Sequence, residues 1–294
     1  MRLALLPDRG VLRLSGPDTV KLLQGIITND MQRLDEAPAL HAGLLSAQGK
    51  IQFDFLVVKA ADDLLIETAR TSVAPLKQRL EMYKLRAAVT IADVSADYSV
   101  AAAWDIGAGE GQHSAHTLVF PDPRAPGLGN RYLASLSSNW RRDLANAEAA
   151  TRADYDAARI RCAIAEAGSD FALGDTFPHE ANYDLMGSVS FRKGCYVGQE
   201  VVSRMQHKTV VRKRVVRFTG GALTTDGEVR AGDAVIGTIG TVAAGKALAL
   251  LRIDRVAEAL DKGQPLTAGG AGIEVDPEAV ERYRRSVAER PQSP

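Results

Sequence analysis

The sequence has few cysteines and no excess of either charge. Only Cys162 and Cys195 occur among 294 residues, and two thiols cannot build a disulfide framework or fill a four-ligand zinc site by themselves. Lysine and arginine together number 36, equal to the 36 aspartates and glutamates, so no overall field holds the protein on nucleic acid or on an anionic membrane. We therefore expect a reducing compartment, no metal site and no stable nucleic-acid complex.

Long apolar runs are also absent. No stretch of about 18 apolar residues occurs, so the sequence predicts no membrane-spanning helix. The opening MRLALLPDRG has too short an apolar run for a secretory signal, and Asp8 and Asp18 are unlike a mitochondrial presequence. With 46% hydrophobic and 24% charged residues, the composition is that of a globular chain of two or three domains. These features predict a monomer in the bacterial cytoplasm.

Strand and turn patterns dominate the first half of the chain. Residues 10–16 alternate like a strand and lead into a short helix that opens with Pro17. Residues 40–69 have the alternation and turn chemistry of an antiparallel meander, and residues 71–86 form an amphipathic helix. The GAGEG run at Gly107–Gly111 lacks the spacing of a dinucleotide-binding loop and is typical of a surface turn.

The second half combines helix with a β-rich end. Residues 144–167 predict a helix that contains Cys162, for which a small apolar packing role is favoured. After His207 the chain changes to short valine-rich runs broken by glycine, which suit a small barrel, and the tail from Glu289 is expected to fray. Because strands and helices mix without a βαβ rhythm, the predicted fold class is α+β.

The octapeptide KGCYVGQE, residues 193–200, places Cys195 between two glycines. The preceding GSVSF resembles a strand and the following QEVVSRMQH resembles a helix, so the cysteine is predicted to lie on a strand-to-helix turn. A helix N-terminus and the Lys193 ammonium both favour a thiolate. The alternative is that the glycines only shape a turn around a small filler residue, since no general base is obvious nearby.

A basic run, HKTVVRKRVVR, spans His207 to Arg217. Its lysines and arginines alternate with valines at strand period, which favours a solvated strand face over a contact with phosphate or RNA. We expect this run to contribute little to function beyond solubility.

Several longer segments resemble one known family. The segment FPHEANYDLMGSVSFRKGCYVGQEVVSRMQH (177–207) strongly resembles the signature of the YgfZ family. These are folate-binding iron-sulfur assembly proteins related to the T-protein (aminomethyltransferase) of the glycine cleavage system. Near the N-terminus, LSGPDTVKLLQGIITNDMQRL and GLLSAQGKIQFDFLV resemble further segments of that family. With the helix YDAARI and the β-rich C-terminus, the resemblance covers nearly the whole chain, although about 95–150 is recognisable only by position.

The resemblance implies a T-protein-like arrangement of three modules around a central opening that binds tetrahydrofolate. The expected modules are residues 1–47 with about 145–207, then about 48–144, and a β-barrel-like module at 208–294. The resemblance also implies a role in assembling or repairing iron-sulfur enzymes, including one that modifies tRNA, with a bearing on oxidative stress. Iron-sulfur client or carrier proteins are the implied partners, with transient contact to a cluster.

Site residues follow from the same resemblance. Cys195 is implied to be the functional thiol at the rim of the opening, accompanied by Lys193, Gln199 and Glu200. For Glu180 and Asn182, a cap of the local turn is the alternative to pairing with pterin donors. Tetrahydrofolate is expected to contact residues in the matching segments, namely Asn29, Asp54, Arg159, Glu180 and Asn182.

Two departures from the T-protein bear on enzymatic activity. The T-protein has two adjacent acids where this chain has Phe53 and Asp54, and its later Gly-Tyr-Thr-Gly-Glu segment has no counterpart. Aminomethyl transfer from tetrahydrofolate is therefore disfavoured, but it stays an alternative, as does a non-catalytic adaptor for RNA or protein. The family's R-I-x-x-G-x-P run is replaced here by RIRCAIA from Arg159, which predicts that the helix continues.

Overall fold

A computed structural model describes residues 1–105, 117–137 and 147–289 of the protein. The turn predicted at Gly107–Gly111 and almost all of the tail predicted to fray lie outside these ranges. Within them, no helix has the length and apolar character needed to cross a membrane.

The described residues form sixteen strands and six α-helices. The N-terminal strands are β1 (Arg2–Leu5), β2 (Arg9–Ser15), β3 (Ala39–Leu45), β4 (Ile51–Ala60), β5 (Asp63–Ala69), β6 (Thr90–Asp93), β7 (Tyr98–Trp104), β8 (Thr117–Pro121), β9 (Asn130–Ser135) and β10 (Glu148–Ala150). The C-terminal strands are β11 (Lys213–Gly220), β12 (Glu228–Ala231), β13 (Ala234–Ala243), β14 (Lys246–Arg252), β15 (Leu266–Ala268) and β16 (Ala271–Val275). The helices are α1 (Thr19–Ile26), α2 (Val73–Lys84), α3 (Arg152–Arg161), α4 (Gln199–Lys208), α5 (Ile253–Asp261) and α6 (Pro277–Ala288).

The first sheet has the strand order β3-β4-β5-β2-β6 and is antiparallel throughout. The meander predicted at residues 40–69 is confirmed as β3, β4 and β5. Strand β4 is buried on both faces because Phe55 packs against α1 and α2 while Leu56 packs toward the second sheet. The expected module boundary after residue 47 lies inside the β3–β4 hairpin, where Gly43 pairs with Asp54.

The second sheet has the order β10-β1-β7-β9-β8, with β1 and β10 parallel and the other pairs antiparallel. Its inner face shares one core with the first sheet, in which Trp104, Phe120 and Tyr155 are buried. The N-terminal part of the chain is therefore two sheets packed face to face, with helices at the edges.

The C-terminal strands close into a six-stranded barrel in the order β11-β14-β13-β12-β15-β16. Alternate residues of these strands, such as Val216, Phe218 and Leu251, fill its interior. The predictions of an α+β fold and a β-barrel-like C-terminal module are confirmed.

Two predictions of local structure are wrong. The helix expected to run through Cys162 begins at Arg152, behind a capping box of Thr151 and Asp154, and ends at Arg161. It cannot continue because Ala163 adopts the left-handed conformation, with φ 55°. The GSVSF stretch is not a strand.

Candidate functional site

Residues 187–198, called the cysteine segment below, lie along the turn that follows α1. Ser190 N donates to Thr28 O at 2.9 Å, and Thr28 Oγ1 donates to Ser188 O at 2.7 Å. Asn29 Nδ2 donates to Gly187 O at 3.0 Å. Single hydrogen bonds to a distant part of the chain thus replace the regular ladder of a strand.

Cys195 is exposed and follows this contact region directly. Helix α4 begins at Gln199, and Gly198 before it has φ 80°, in the left-handed region. A Cβ at Gly198 would also lie 2.6 Å from Ser46 O, so only glycine fits this turn. Both cysteines are free thiols, and Cys162 is half-buried. As expected, Cys195 is solvent-accessible and not paired with Cys162. Tyr196, Val197 and Gly198 lie between it and the first residue of α4.

The Lys193 ammonium was expected to lie beside the Cys195 thiol, but it is directed to main-chain carbonyls. Its side chain is buried, and Nζ donates to Ile27 O at 2.9 Å and to Asn29 O at 2.8 Å. Burial lowers the pKa of Lys193 to about 8. Glu200 pairs instead with Arg204 at the exposed surface of α4. Within the described ranges, no hydrogen bond joins Lys193, Gln199 or Glu200 to the Cys195 thiol.

Asp54 lies at the centre of a buried polar cluster. His41 Nε2 is 2.9 Å from Asp54 Oδ2, and the Tyr183 hydroxyl donates to the same oxygen. The second imidazole nitrogen, His41 Nδ1, is 2.7 Å from Ser188 Oγ. Burial alone would raise the pKa of Asp54, but the contacts with His41 and Tyr183 outweigh it and hold this pKa well below its usual range. The cluster therefore maintains an ionised carboxylate under the cysteine segment.

Sequence reasoning found Asp54 but missed its partners. The register of the predicted meander would have placed His41 diagonally opposite Asp54, because residues 41 and 43 face 56 and 54. Tyr183 lies 129 residues away along the chain, and no local pattern predicts its contact.

Three of the predicted folate residues satisfy nearby main-chain groups. Asn29 Nδ2 donates to His41 O at 2.8 Å as well as to the cysteine segment. Glu180 accepts a hydrogen bond from Phe177 N at 2.8 Å. This contact is the turn cap that was the alternative to pairing with pterin donors. Asn182 has φ 63° and donates to Val215 O at 2.8 Å, so it ties this turn to the barrel.

Arg159 is buried in an ion-pair network between α3 and the barrel. Its guanidinium lies 2.9 Å from Asp170 and 2.7 Å from Asp156, and donates to Thr241 Oγ1 at 3.1 Å. Burial alone would lower the pKa of Arg159, but the surrounding carboxylates, Glu166 foremost, raise it. These contacts give Arg159 a role in joining the modules.

Two of the clefts that lie between modules adjoin each other, and Met186 borders both. The first, called the three-module cleft, has a volume of about 260 Å³. Its lining includes four arginines against two acids, namely Arg124, Arg161, Arg217 and Arg282 against Asp276 and Glu278, together with Cys162 and Asn182. The second, called the histidine cleft, has a volume of about 230 Å³ and a lining that includes Asn29, His41, Pro121 and Pro123.

The structure therefore divides the predicted folate residues among different places. Asn182 lines the three-module cleft, Asn29 lines the histidine cleft, and Asp54 hydrogen-bonds to the wall residue His41. Arg124 contributes to the low pKa of Asp54 from the side of the three-module cleft. In the described ranges, no group of three or more His, Cys, Asp or Glu side chains is arranged to hold a metal ion.

Comparisons with known proteins place this geometry in context. Residues 212–281 match the family model described as CAF17, C-terminal beta-barrel domain. The chain is 37% identical over 231 residues to a protein of Mycosarcoma maydis named "Iron-sulfur cluster assembly factor IBA57 homolog, mitochondrial", a match that covers 73% of this chain and 56% of that protein. A protein of the same name from Neurospora crassa is 32% identical over 233 residues, covering 73% of this chain and 52% of that protein. The chain thus spans just over half the length of these relatives.

Among solved structures, the chain resembles the glycine cleavage system aminomethyltransferase T from Bartonella henselae, with a TM-score of 0.70 over 86% of this chain and 78% of that one. At 12% identity this likeness shows the fold alone. The expectation of a bacterial cytoplasmic protein is overturned by the fungal relatives, which are named mitochondrial; composition and opening residues misled because proteins of many compartments share them. The chain is a homologue of the proteins named iron-sulfur cluster assembly factor IBA57 homolog, built on a T-protein fold with a C-terminal barrel of the CAF17 type.

Proposed function

We propose that this protein is a folate-binding accessory factor for the assembly or repair of iron-sulfur proteins, and a member of the YgfZ family. The observation that carries the proposal is its 37% identity, over 73% of its length, to a protein named as an iron-sulfur cluster assembly factor. Iron-sulfur client or carrier proteins, among them an enzyme that modifies tRNA, are the proposed partners. The likeness to aminomethyltransferase at 12% identity gives no comparable support for one-carbon transfer.

The thiol of Cys195 is proposed to act directly on the iron-sulfur cargo. A thiolate is the soft ligand that iron-sulfur clusters prefer. Cys195 is exposed, whereas Cys162 is half-buried among module contacts. An exposed thiol on a turn held by glycine is accessible to a cluster carried by a second protein.

Tetrahydrofolate is proposed to lie across the two clefts. Its glutamyl carboxylates suit the excess of arginine in the three-module cleft. Its pterin ring carries several hydrogen-bond donors and acceptors, which suit the polar side chains of Asn29 and Arg33 in the histidine cleft. Both ring nitrogens of His41 are already hydrogen-bonded, to Asp54 and Ser188, so Asp54 supports the wall of the cleft through His41.

Loss of the gene, followed by rescue, tests the role in iron-sulfur assembly. Wild type, Cys195→Ala, Asp54→Asn and Cys162→Ala are compared for activities of four-iron enzymes under oxidative stress. We expect wild type and Cys162→Ala to restore activity and Cys195→Ala to fail while remaining folded. Full rescue by Cys195→Ala would show that the thiol is not needed. Unchanged four-iron enzyme activity after loss of the gene would refute the assembly role.

Calorimetry with tetrahydrofolate under anaerobic conditions tests the ligand. Arg282 lines the three-module cleft, where it pairs with Glu278. Arg284, on the same helix α6, pairs with Asp261 and Glu281 and does not line this cleft. We expect Arg282→Met to weaken binding about fivefold, because one exposed ion pair contributes roughly 1 kcal/mol. Arg284→Met should leave binding unchanged. A reduced pterin without the glutamyl group should be insensitive to both changes. Absence of heat at millimolar tetrahydrofolate would refute folate binding.

A further inference from the structure

The Lys193 side chain connects two parts of the chain that are far apart in sequence. Its Nζ donates to the carbonyls of Ile27 and Asn29, which are 166 and 164 residues away. Ile27 is the C-cap of α1, and the carbonyls at a helix C-terminus attract a positive charge. The ammonium thus satisfies the carbonyl of the α1 C-cap, which has no partner in its own helix, and a second carbonyl in the turn that follows.

Thr28, between those two residues in sequence, also holds the cysteine segment. Its hydroxyl donates to Ser188 O and accepts from Gly43 N at 2.9 Å. Its carbonyl accepts from Ser190 N. The segment that leads to Cys195 is therefore attached at residues 188, 190 and 193, while Gly194 and Cys195 beyond it are exposed.

The burial of Lys193 indicates what these contacts do. A buried ammonium is costly unless hydrogen bonds compensate it, and here the partners are neutral carbonyls, with Asp30 as the acid that acts on it. A lysine that served only to add charge near a thiol would keep its ammonium in water, because a solvated charge has no desolvation cost. Arg192, its neighbour, is exposed and has no ion pair in the described ranges, so it provides the matching solvated charge.

We propose that Lys193 and Thr28 are positioning residues, which hold the cysteine segment against the turn after α1 so that Cys195 is presented in one fixed place. Lys193 acts through main-chain hydrogen bonds and not through its charge on the thiol. The structural part of this proposal stands by itself, and its consequence for activity rests on the proposed function of Cys195.

Three variants separate positioning from charge. Lys193→Met removes the donors and the charge but keeps the length of the side chain. Thr28→Val removes hydrogen bonds with no change of charge, and Arg192→Met removes a charge with no loss of these bonds. Each full-length variant is measured for amide hydrogen exchange in residues 187–198, for alkylation of Cys195 by a small reagent, and for rescue of four-iron enzyme activity.

We expect Lys193→Met and Thr28→Val to speed amide exchange in the cysteine segment at least about tenfold, with exchange in strand β4 unchanged. Both should rescue poorly, whereas Arg192→Met should match wild type in exchange and rescue. Alkylation of Cys195 should change less than about twofold in all three, because the thiol is already exposed to a small reagent.

Two outcomes overturn the proposal. Unchanged exchange in residues 187–198 of both Lys193→Met and Thr28→Val would show that these contacts do not hold the segment. A strong slowing of alkylation in Lys193→Met, shared by Arg192→Met, would show that charge matters instead. If Lys193→Met does not fold, amide exchange in residues 187–198 of Thr28→Val tests the proposal by itself.

The activity arm distinguishes this proposal from the proposed function. Faster exchange with full rescue by Thr28→Val, while Cys195→Ala still fails, would show that positioning is not needed for activity. Full rescue by Cys195→Ala would instead refute the function of the thiol and leave the structural finding intact.

Discussion

His41 Nε2 lies 2.9 Å from Asp54 Oδ2, across the neighbouring strands β3 and β4. The two residues are diagonal neighbours on one face of the sheet, and both are buried. This contact allows a carboxylate to stay ionised inside the protein, so it governs how stability depends on pH.

Asp54→Asn should lower the free energy of unfolding by about 3 kcal/mol at neutral pH, because it removes a buried carboxylate that is hydrogen-bonded to His41 and Tyr183. The folded-state pKa of Asp54 is depressed, so its contribution is fully present above about pH 4, the ordinary carboxyl pKa. It is lost as the pH falls further, through the folded-state pKa. Urea unfolding at about pH 7 and about pH 3 should therefore show a smaller difference from wild type in acid. Asp175→Asn, whose side chain is 87% exposed, is the control, and an equal effect at both pH values would contradict this account.

Lys193 should make the protein more stable as the pH rises, whereas a lysine in an ion pair makes a protein less stable as the pH rises. Its pKa is lowered from 10.5 to about 8 in the folded protein, so the unfolded chain binds more protons between these values. The free energy of unfolding should rise with pH in that window, by up to about 2 kcal/mol between about pH 7.5 and about pH 9.5. Lys193→Met should lack this rise. Parallel pH profiles of wild type and Lys193→Met would show that the ammonium titrates normally.

The two cysteines should differ in reactivity and in their effect on stability. Cys195 is exposed, whereas Cys162 is half-buried and its pKa is raised by burial. We expect a small alkylating reagent to modify Cys195 at least about tenfold faster than Cys162 in the native protein. Cys195→Ala should leave the melting temperature within about 1 °C of wild type, since surface changes have little effect, whereas Cys162→Ala should lower it. Slow alkylation of Cys195 with a melting point several degrees lower would make it a packing residue.

The basic run from His207 to Arg217 should divide into two groups. Arg212 and Lys213 are exposed and make no ion pair in the described ranges, so reversing both to glutamate should leave folding, folate binding and rescue intact. Arg214 lies 2.7 Å from Asp184 and donates to His179 O at 2.7 Å, so Arg214→Glu should destabilise the protein. Loss of rescue by the double reversal, with the fold and folate binding intact, would favour an adaptor for RNA or protein.

Local patterns in the sequence were sufficient for the meander, the α+β class and the barrel. Alternation with period two specifies which residues of β4 face each core, and the glycine-broken valine runs after His207 suit a closed barrel. The exposed turn at Cys195 was also predictable, because Gly198 supplies a left-handed conformation directly before α4. Each of these features depends on neighbours within a few residues.

The partners of the site residues were decided only by the tertiary structure. Lys193 was expected beside the thiol, but burial of its ammonium became possible because the turn after α1 offers two carbonyls 164 and 166 residues away. Asn182 was expected on a ligand, but β11 brings Val215 O within 2.8 Å of it. The GSVSF stretch alternates like a strand, yet its main chain is hydrogen-bonded to Thr28 and Asn29 in the turn after α1. A buried polar group takes whichever partner packing brings to it, and that partner is set by contacts between segments that no local pattern records.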